Sequence, residues 1–306
     1  MTALYTAVSQ CWVCEGRELE PVHVARMDLA RYASEDPELA NYDGGTVALN
    51  RCRGCGFAQP ASMPTLPRFF DRLYDQRWSE DWVAREHQAV YKDLIFAAIL
   101  DALETRVPER PRRLLDVGAH AGRFLALARA RGWDPEGLEL NTRTARYAAA
   151  QSGVPVHHVN AQAFDPGDRR FHAIVLTDVL EHVPEPVALL RRLRDLLAPS
   201  GWVAIKVPSG PNQRLKEAVR ERVRPGYRAT LAENLVHVNH FSPRALRLAC
   251  ERAGFVEIAL SVAPPELPDG AASHVSRMLP YTVARLLPGG VHLPFAFNLQ
   301  VYARRA

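Results

Sequence analysis

Residues 114–122 read Leu-Leu-Asp-Val-Gly-Ala-His-Ala-Gly, and this sequence gives the strongest indication of the fold. Its first residues have the apolar character of a buried strand, and Gly118 and Gly122 bracket a tight turn. Residues 122–131 then follow a helical period, with Gly132 at the expected C-terminal cap. A buried strand, a glycine turn and a helix together form the opening unit of a doubly wound α/β sheet.

The same alternation of strand and helix patterns continues along the chain. Further strands are predicted at 137–140, 171–177, 202–207, 255–262 and 298–304. Further helices are predicted at 142–152 behind an Asn141 cap, at 186–197, and at 243–253 ended by Gly254. We therefore expect an α/β protein with a Rossmann-like, doubly wound sheet of seven strands and an antiparallel edge.

The glycine loop discriminates between classes of ligand. The run from Gly118 to Gly122 lacks the second glycine of G-x-G-x-x-G, which lets the backbone approach a pyrophosphate. Asp116, at the end of the first strand, repels phosphates and attracts a cation. Glu139 ends the second strand 21 residues after Gly118, where a carboxylate accepts hydrogen bonds from both ribose hydroxyls. The two acids predict S-adenosylmethionine, which carries an ammonium and a sulfonium but no phosphate.

These residues resemble a known family. Residues 114–122 resemble motif I of the class I S-adenosylmethionine-dependent methyltransferases, and Asp-Val-Leu-Glu-His-Val at 178–183 resembles their motif after strand four. The resemblance continues through Leu-Leu-Ala-Pro-Ser-Gly at 196–201 and His-Phe-Ser-Pro at 240–243, and covers about 110–262. It implies a methyltransferase fold and activity.

The resemblance also implies how the cofactor binds. The loop 116–122 is expected to hold S-adenosylmethionine, Glu139 its ribose, and Leu140 with residues 162 and 163 its adenine. His120 stands where many relatives have glycine, and its imidazole is expected to contact or crowd the methionine end of the ligand. The predicted cofactor-binding residues are Asp116, Gly118, Ala119, His120, Gly122, Glu139, Leu140, Gln162, Ala163 and Asp178.

Four of the five cysteines form two Cys-x-x-Cys pairs, Cys11 with Cys14 and Cys52 with Cys55, separated by 37 residues. Two residues between cysteines let a tight knuckle aim both sulfurs at one ion, and two knuckles complete a closed tetrahedral thiolate site. The pattern predicts structural Zn²⁺ in a zinc-ribbon module, with a redox-active dithiol as the alternative. Cys250, alone in an apolar helical stretch, is predicted to be a core residue.

The cysteine pairs, with Tyr74 about twenty residues after them, are similar to the front of a subgroup that includes deoxysugar C-methyltransferases of antibiotic pathways. That resemblance puts His237 at the position of the subgroup's proposed base. Those relatives carry Glu immediately before it, whereas this chain carries Val236, so both O- and C-methylation stay open. The implied acceptor is a small molecule, either a sugar, which includes a nucleotide-sugar, or another natural-product intermediate.

His182, His240 and Glu181 complete the candidate catalytic set with His237. His182 follows Glu181 just beyond the fourth strand, at the carboxyl edge where open α/β sheets bind ligands. A histidine that is neutral near pH 7 can take a proton from an acceptor. As an alternative role, Glu181 and His182 resemble the Mg²⁺ ligands of ubiquinone-pathway O-methyltransferases.

The 306 residues, 47% apolar and 24% charged, exclude a disordered or fibrous chain. Basic residues exceed acidic ones by only four, and the arginines are scattered, which counts against a nucleic-acid partner. An RNA methyltransferase and a non-catalytic cofactor-binding module remain the alternatives. Since no apolar run approaches about 18 residues and no signal peptide is apparent, we expect a cytoplasmic protein without a membrane partner. A homo-oligomer stays open.

The predicted domains are a zinc-ribbon module at 1–65, a helical connector at 66–110 and a methyltransferase domain at 111–306. A lid insert is expected at about 210–240. Its arginines either face solvent or hold the phosphate of a nucleotide-linked sugar; they are Arg214, Arg220, Arg222, Arg224 and Arg228. A second insert at 263–294 is expected to wall the pocket or to dimerise.

Overall fold

The computed structural model describes residues 4–32, 35–75, 80–88, 90–228, 233–267 and 271–306. Their strands are β1 (Tyr5–Ala7), β2 (Leu19–Arg26), β3 (Thr46–Cys52), β4 (Ala58–Pro60), β5 (Ser62–Pro64), β6 (Arg113–Val117), β7 (Asp134–Glu139), β8 (Val156–His158), β9 (Phe171–Thr177), β10 (Leu197–Pro208), β11 (Phe255–Val262) and β12 (Asn298–Arg305). Their helices are α1 (Pro37–Ala40), α2 (Phe69–Asp75), α3 (Glu80–Gln88), α4 (Asp93–Arg106), α5 (Arg123–Ala130), α6 (Thr142–Ser152), α7 (Pro186–Leu196), α8 (Gly210–Val223), α9 (Pro243–Arg252) and α10 (Ala271–Leu286). None of the helices described here has both the length and the apolar composition needed to cross a bilayer.

A seven-stranded sheet in the order β11-β12-β10-β9-β6-β7-β8 forms the centre of the protein. The strands from β10 to β8 pair in parallel, and β12 pairs antiparallel with both β10 and β11. The chain runs from β6 outward to β8 and then returns to the other side of β6 as β9. This order confirms the predicted doubly wound α/β fold with an antiparallel edge.

Alternate residues of the parallel strands pack into two apolar layers, one on each face of the sheet. Leu115 and Val117 of β6 pack with residues of α7 and α9, whereas Leu114 packs with residues of α4 and α5. This alternation follows from the two-residue period of a strand. Because both faces are covered, β6 is apolar almost throughout, and its buried Asp116 is the exception.

Several predicted boundaries are confirmed. The strands predicted at 171–177 and 255–262 coincide with β9 and β11, and Asn141 caps α6 by accepting a hydrogen bond from the amide of Thr144 at 2.9 Å. The strand predicted at 202–207 is longer, since β10 begins at Leu197, which pairs with Phe171. The second predicted insert contains α10.

The N-terminal residues form a three-stranded antiparallel sheet, β2-β3-β4, and a two-stranded pair, β1-β5. This part packs directly on α9 and the segment before it. The rings of Phe57 and Phe241 lie 5.0 Å apart, and Ala58 and His240 exchange backbone hydrogen bonds of 3.1 and 2.9 Å. The N-terminal sheet therefore shares a core with the C-terminal half of the chain.

Candidate functional site

A cavity of about 610 Å³ lies at the carboxyl edge of the sheet, where the strand order reverses between β6 and β9. One side, here called the glycine-loop half, is lined by residues within 116–124, 138–140, 159–161 and 177–179. The other, here called the aromatic half, is lined by residues within 64–74, 182–184 and 236–237. The volume is typical of a site for small molecules.

Two acids, the buried Asp116 and the half-buried Glu139, lie in the glycine-loop half. Asp116 is 4% exposed, and burial together with the charge of Glu139 raises the pKa of Asp116 to about 8. Glu139 accepts hydrogen bonds from the backbone amides of His120 at 2.9 Å and Asn141 at 3.0 Å, while burial raises its pKa. A cation in the cavity would favour both ionised carboxylates and reverse these shifts.

The glycines of the loop are required by backbone conformation and packing. Gly118 has φ +78°, and a Cβ there would lie 2.4 Å from Cγ2 of Val179. Gly122 has φ +80°, and its Cβ would lie 2.8 Å from the carbonyl oxygen of Ala148 on α6. Gly118 lines the cavity, whereas Gly122 lies behind it and brings α5 close to α6.

His120 and Ala119 also line the cavity. Burial, aided by the charge of Lys92, lowers the pKa of His120 to about 4, so its imidazole is neutral at physiological pH. Leu140 lines the cavity as predicted, but Gln162 and Ala163 are exposed and lie outside its lining. A turn held by Asn160 carries those two residues away, with the amide of Gln162 2.9 Å from the Asn160 side-chain oxygen.

Asp178 lines the cavity and anchors two lysines that the sequence did not point to. It lies 3.1 Å from Lys92 Nζ and contacts Lys206, a buried residue of β10. Burial opposes ionisation, but the charges of Lys206 and Lys92 outweigh it and hold the pKa of Asp178 below its usual range. Lys92 is 86 residues away along the chain, so no local pattern reveals the pair.

Tyr74, His182 and His237 meet in the aromatic half. His182 Nδ1 lies 2.6 Å from both the Tyr74 hydroxyl and the carbonyl oxygen of Val236. Because a carbonyl only accepts, we assign the proton to Nδ1, which leaves the Nε2 lone pair as an acceptor. The rings of His182 and His237 lie 4.7 Å apart, edge to face. Trp78, four residues after Tyr74, lies outside the described residues.

Glu181 and His240 lie behind the cavity wall. Burial, with the charge of Asp178, raises the pKa of Glu181 to about 8, and its Oε2 has no hydrogen-bond partner in the described part of the chain. Ligand atoms of Glu181, His182 and His237 lie within 4.8 Å of one another. His240 is 3% exposed and is 3.1 Å from the His237 carbonyl oxygen, and burial lowers its pKa to about 3.

The four paired cysteines converge at the N-terminal sheet. Their sulfur atoms all lie within 4.8 Å of one another, with distances of 3.6 Å for Cys11 to Cys55 and 3.4 Å for Cys14 to Cys52. Zn–S bonds of about 2.3 Å in a tetrahedron place sulfurs about 3.8 Å apart. The arrangement therefore fits one tetrahedral metal ion, whereas Cys250 is buried separately in α9.

The arginines predicted to hold a phosphate lie on α8 and just after it, and none of these five lines the cavity. The cations that do line it, among the described residues, are Arg68, Lys92 and Arg123. Arg123 is engaged by a bidentate ion pair with Asp93, with both N–O distances at 2.5 Å.

Comparison with known proteins places this site among methyltransferases. The ubiquinone biosynthesis O-methyltransferase of Chromobacterium violaceum is 30% identical over 142 residues, which is 44% of this chain and 58% of that protein. The trans-aconitate 2-methyltransferase of Methylobacterium radiotolerans is 36% identical over 124 residues, 38% of this chain and 47% of that protein. The chain thus spans about half the length of the curated relatives it matches.

A solved methyltransferase, in complex with the Trm112 methyltransferase activator of Haloferax volcanii, shares the fold. It is 15% identical, with a TM-score of 0.51 over 77% of this chain and 97% of that one. A family model described as a methyltransferase domain matches residues 85–260. Because that match spans more than half of the chain and carries the glycine loop, Glu139 and the edge of the sheet that forms the cavity, the protein belongs to the class I S-adenosylmethionine-dependent methyltransferase family.

Proposed function

We propose that the protein transfers a methyl group from S-adenosylmethionine to a small organic acceptor, a sugar or another natural-product intermediate. The observation that carries the proposal is the continuity of the cavity. Asp116 and Glu139 line the same space of about 610 Å³ as His182 and His237. Donor and acceptor held together there would gain the alignment on which in-line methyl transfer depends.

The residues of the glycine-loop half fit the cofactor. Asp116 would balance its positive charge, Glu139 would accept hydrogen bonds from its ribose hydroxyls, and Leu140 with Ala161 would flank its adenine. Once bound, the cofactor supplies an electrophilic methyl group. The position of Asp116 supports this assignment, because a cationic ligand beside this buried carboxyl and Glu139 would favour the ionised form of both acids.

We assign the proton transfer to His237. Its ring lies beside His182, whose Nδ1 proton is held by the Val236 carbonyl and whose position is fixed by Tyr74. His237 takes the proton from the acceptor's O–H or acidic C–H as the methyl group is transferred, and holds it as an imidazolium beside the second imidazole. A positioned base of this kind contributes about 10²–10⁴-fold.

The aromatic half suits a small and partly apolar acceptor. Its lining includes Leu66, Phe69, Phe70, Val183, Pro184 and Val236. One ion pair, Arg68 with Asp71 at 3.2 Å, lies among these apolar groups and offers polar contacts. Both curated relatives named above carry small-molecule methyltransferase names. An RNA acceptor, the alternative, would require extended phosphate contacts and a steep dependence of binding on salt.

The four cysteines form the proposed Zn²⁺ site of the module at 1–65. Their sulfur positions match a closed four-thiolate set, which leaves no position for a substrate. Zinc here would stabilise the N-terminal sheet, and through it the wall of the cavity formed by residues 64–74.

The test is production of S-adenosylhomocysteine from S-adenosylmethionine with a panel of sugars, nucleotide-sugars, phenols and enolisable acids. At least one class is expected to support turnover. With that acceptor, His237→Ala is expected to lower kcat about 10²–10⁴-fold with unchanged cofactor affinity. His292→Ala alters an exposed histidine outside the cavity lining and is expected to leave kcat unchanged. Full turnover by His237→Ala would contradict the assignment of the base, and turnover on RNA alone would contradict the acceptor class.

A further inference from the structure

Helix α10 turns an apolar stripe away from the protein. Val275, Leu279 and Leu286 are 68%, 64% and 76% exposed, whereas Ala284 is 3% exposed. The helical period puts the first three side chains on one side of α10 and Ala284 on the opposite side. An exposed stripe of large aliphatic side chains marks an interaction surface.

A second stripe lies on α8. Leu215, Val219 and Val223 are 48%, 51% and 64% exposed and follow one another at intervals of four residues. Both helices contact the segment around Ala296: the side-chain amide of Asn212 on α8 donates to the Ala296 carbonyl oxygen at 2.8 Å, and Ala284 of α10 packs with Ala296. These six aliphatic residues of α8 and α10 are here called the α8–α10 face.

Positive charge is concentrated around the same helices. Residues 210–228 and 271–287 contain eight basic and two acidic residues, although the whole chain has an excess of only four basic residues. The eight are Arg214, Lys216, Arg220, Arg222, Arg224, Arg228, Arg277 and Arg285. The remainder of the chain is therefore slightly acidic. Five of the eight, which are Arg222, Arg224, Arg228, Arg277 and Arg285, are exposed on or beside the two helices, whereas Arg220 pairs with Glu217.

We propose that the α8–α10 face binds the surface of a bilayer that contains anionic phospholipids. The aliphatic side chains enter the boundary between head groups and acyl chains, and the flanking arginines meet lipid phosphates. A second copy of the chain would bring two positively charged faces together, which mutual repulsion disfavours. RNA would meet aliphatic side chains where it prefers aromatic stacking partners.

The segment that leads into α10 connects this face with the cavity. The amide of Leu267 donates to the carbonyl oxygen of Tyr91 at 2.8 Å, and Glu266 lies 3.9 Å from Lys92. Tyr91 and Lys92 both line the cavity. On a bilayer the cavity would lie near lipid-soluble acceptors; this last link rests on the proposed function, whereas binding to vesicles does not.

The test is co-sedimentation of the full chain with vesicles of equimolar phosphatidylcholine and phosphatidylglycerol, and with vesicles of phosphatidylcholine alone, at low salt. Binding is expected to be at least about tenfold tighter to the anionic vesicles and to weaken at high salt. The pair Leu279→Gln and Leu286→Gln is expected to weaken it at least about tenfold. Val24→Gln, which alters a 53% exposed valine of β2 outside the face, is the matched control and leaves binding unchanged.

Melting temperature and titration with S-adenosylmethionine establish that each variant is folded, and Val275→Ser repeats the comparison if the double variant melts early. Undiminished vesicle binding by a folded variant of the face would overturn the proposal. So would a dimer in sedimentation velocity that the same substitutions dissolve, or binding of single-stranded RNA without binding of vesicles.

Discussion

Asp116 occupies a position in β6 where both neighbours face apolar layers, yet it carries a carboxyl group. Burial and the charge of Glu139 raise its pKa to about 8, so the ligand-free protein holds this carboxyl protonated at neutral pH. A cationic ligand favours the ionised form. Binding of S-adenosylmethionine is therefore coupled to release of a proton.

This coupling predicts that affinity for S-adenosylmethionine rises with pH and levels off above about 8. Below that pH the cation must displace a proton from Asp116, whereas above it the carboxylate is already present. Calorimetric titration across this range, in buffers of different ionisation enthalpy, measures how affinity depends on pH and how many protons are released for each ligand bound. Asp116→Asn is expected to lose the slope and, at high pH, at least about tenfold in affinity.

Glu181→Gln is the matched control, because burial also raises the pKa of Glu181 to about 8 but that carboxyl lies outside the cavity lining. It is expected to keep the slope. If the slope disappears in Glu181→Gln and persists in Asp116→Asn, the released proton comes from Glu181, which would contradict the assignment to Asp116.

The raised pKa of both carboxyls also makes the ligand-free protein less stable as pH rises toward 8, since the folded state retains protons that the unfolded chain releases.

The Tyr74 hydroxyl lies 2.6 Å from Nδ1 of His182, and the two rings also pack edge to face with centroids 5.5 Å apart. Tyr74→Phe removes that hydroxyl, and we expect kcat to fall about fivefold, as the loss of about 1 kcal/mol implies, while cofactor affinity stays unchanged. The pH profile of kcat should shift as well, because the hydroxyl helps to hold the ring of His182 beside His237, the proposed base. Tyr147→Phe on α6 serves as the control, and equal effects of the two substitutions would show that Tyr74 has only a packing role.

At the scale of helices and strands, Gly122 determines how closely α5 approaches α6. Gly122→Ala is expected to destabilise the protein by about 1–3 kcal/mol, because its Cβ would overlap Ala148 in addition to the cost of a left-handed backbone. Gly167→Ala is the matched control, since Gly167 has φ +64° and nothing lies within 4 Å of its Cβ. Chemical denaturation measures both, and an equal loss of stability would refute the packing argument.

Elements with local signals could be predicted from the sequence. Nearby residues alone predict four such features, which are the Asn141 cap, the left-handed Gly254 and the apolar strands at 171–177 and 255–262. No local signal predicts the insertion of β12 between β10 and β11, because strand order depends on how distant segments pack. Asp116 and Glu139, by contrast, could be identified because each lies at the end of a predicted strand, which is a local signal.

The contact of Tyr74 with His182, 108 residues away, follows from the packing of the connector and not from any motif. The loop that supplies Val236 is equally non-local. It depends on left-handed conformations at Asn234 and Leu235 and on hydrogen bonds between the Asn234 side chain and the backbone of Asp28. No spacing rule predicts such a loop, which is why the pairing of the two histidines required the structure.

At the scale of the whole molecule, the cysteine cluster and the methyltransferase domain share one core. The Ser242 hydroxyl, at the start of α9, donates to the Cys55 carbonyl at 2.8 Å, and Phe57 packs on Phe241. Since these contacts join the N-terminal sheet to the start of α9, loss of the proposed zinc should lower the stability of the methyltransferase domain as well as that of the N-terminal sheet.

We accordingly expect purified protein to contain one equivalent of zinc by elemental analysis. Its removal with a strong chelator, or by Cys11→Ser, is expected to lower the melting temperature of the whole protein in one transition. Cys250→Ala should leave the zinc content unchanged, because that thiol is buried apart from the cluster. A metal-free protein of unchanged stability would remove the zinc assignment.

A crystal structure with S-adenosylhomocysteine would show directly whether one cavity holds donor and acceptor between the two acids, Asp116 and Glu139, and the paired histidines. We expect the ribose hydroxyls to lie within hydrogen-bonding distance of Glu139 and the sulfur to be directed toward His182 and His237. A ligand bound elsewhere, or with its sulfur facing away from both histidines, would contradict this expectation.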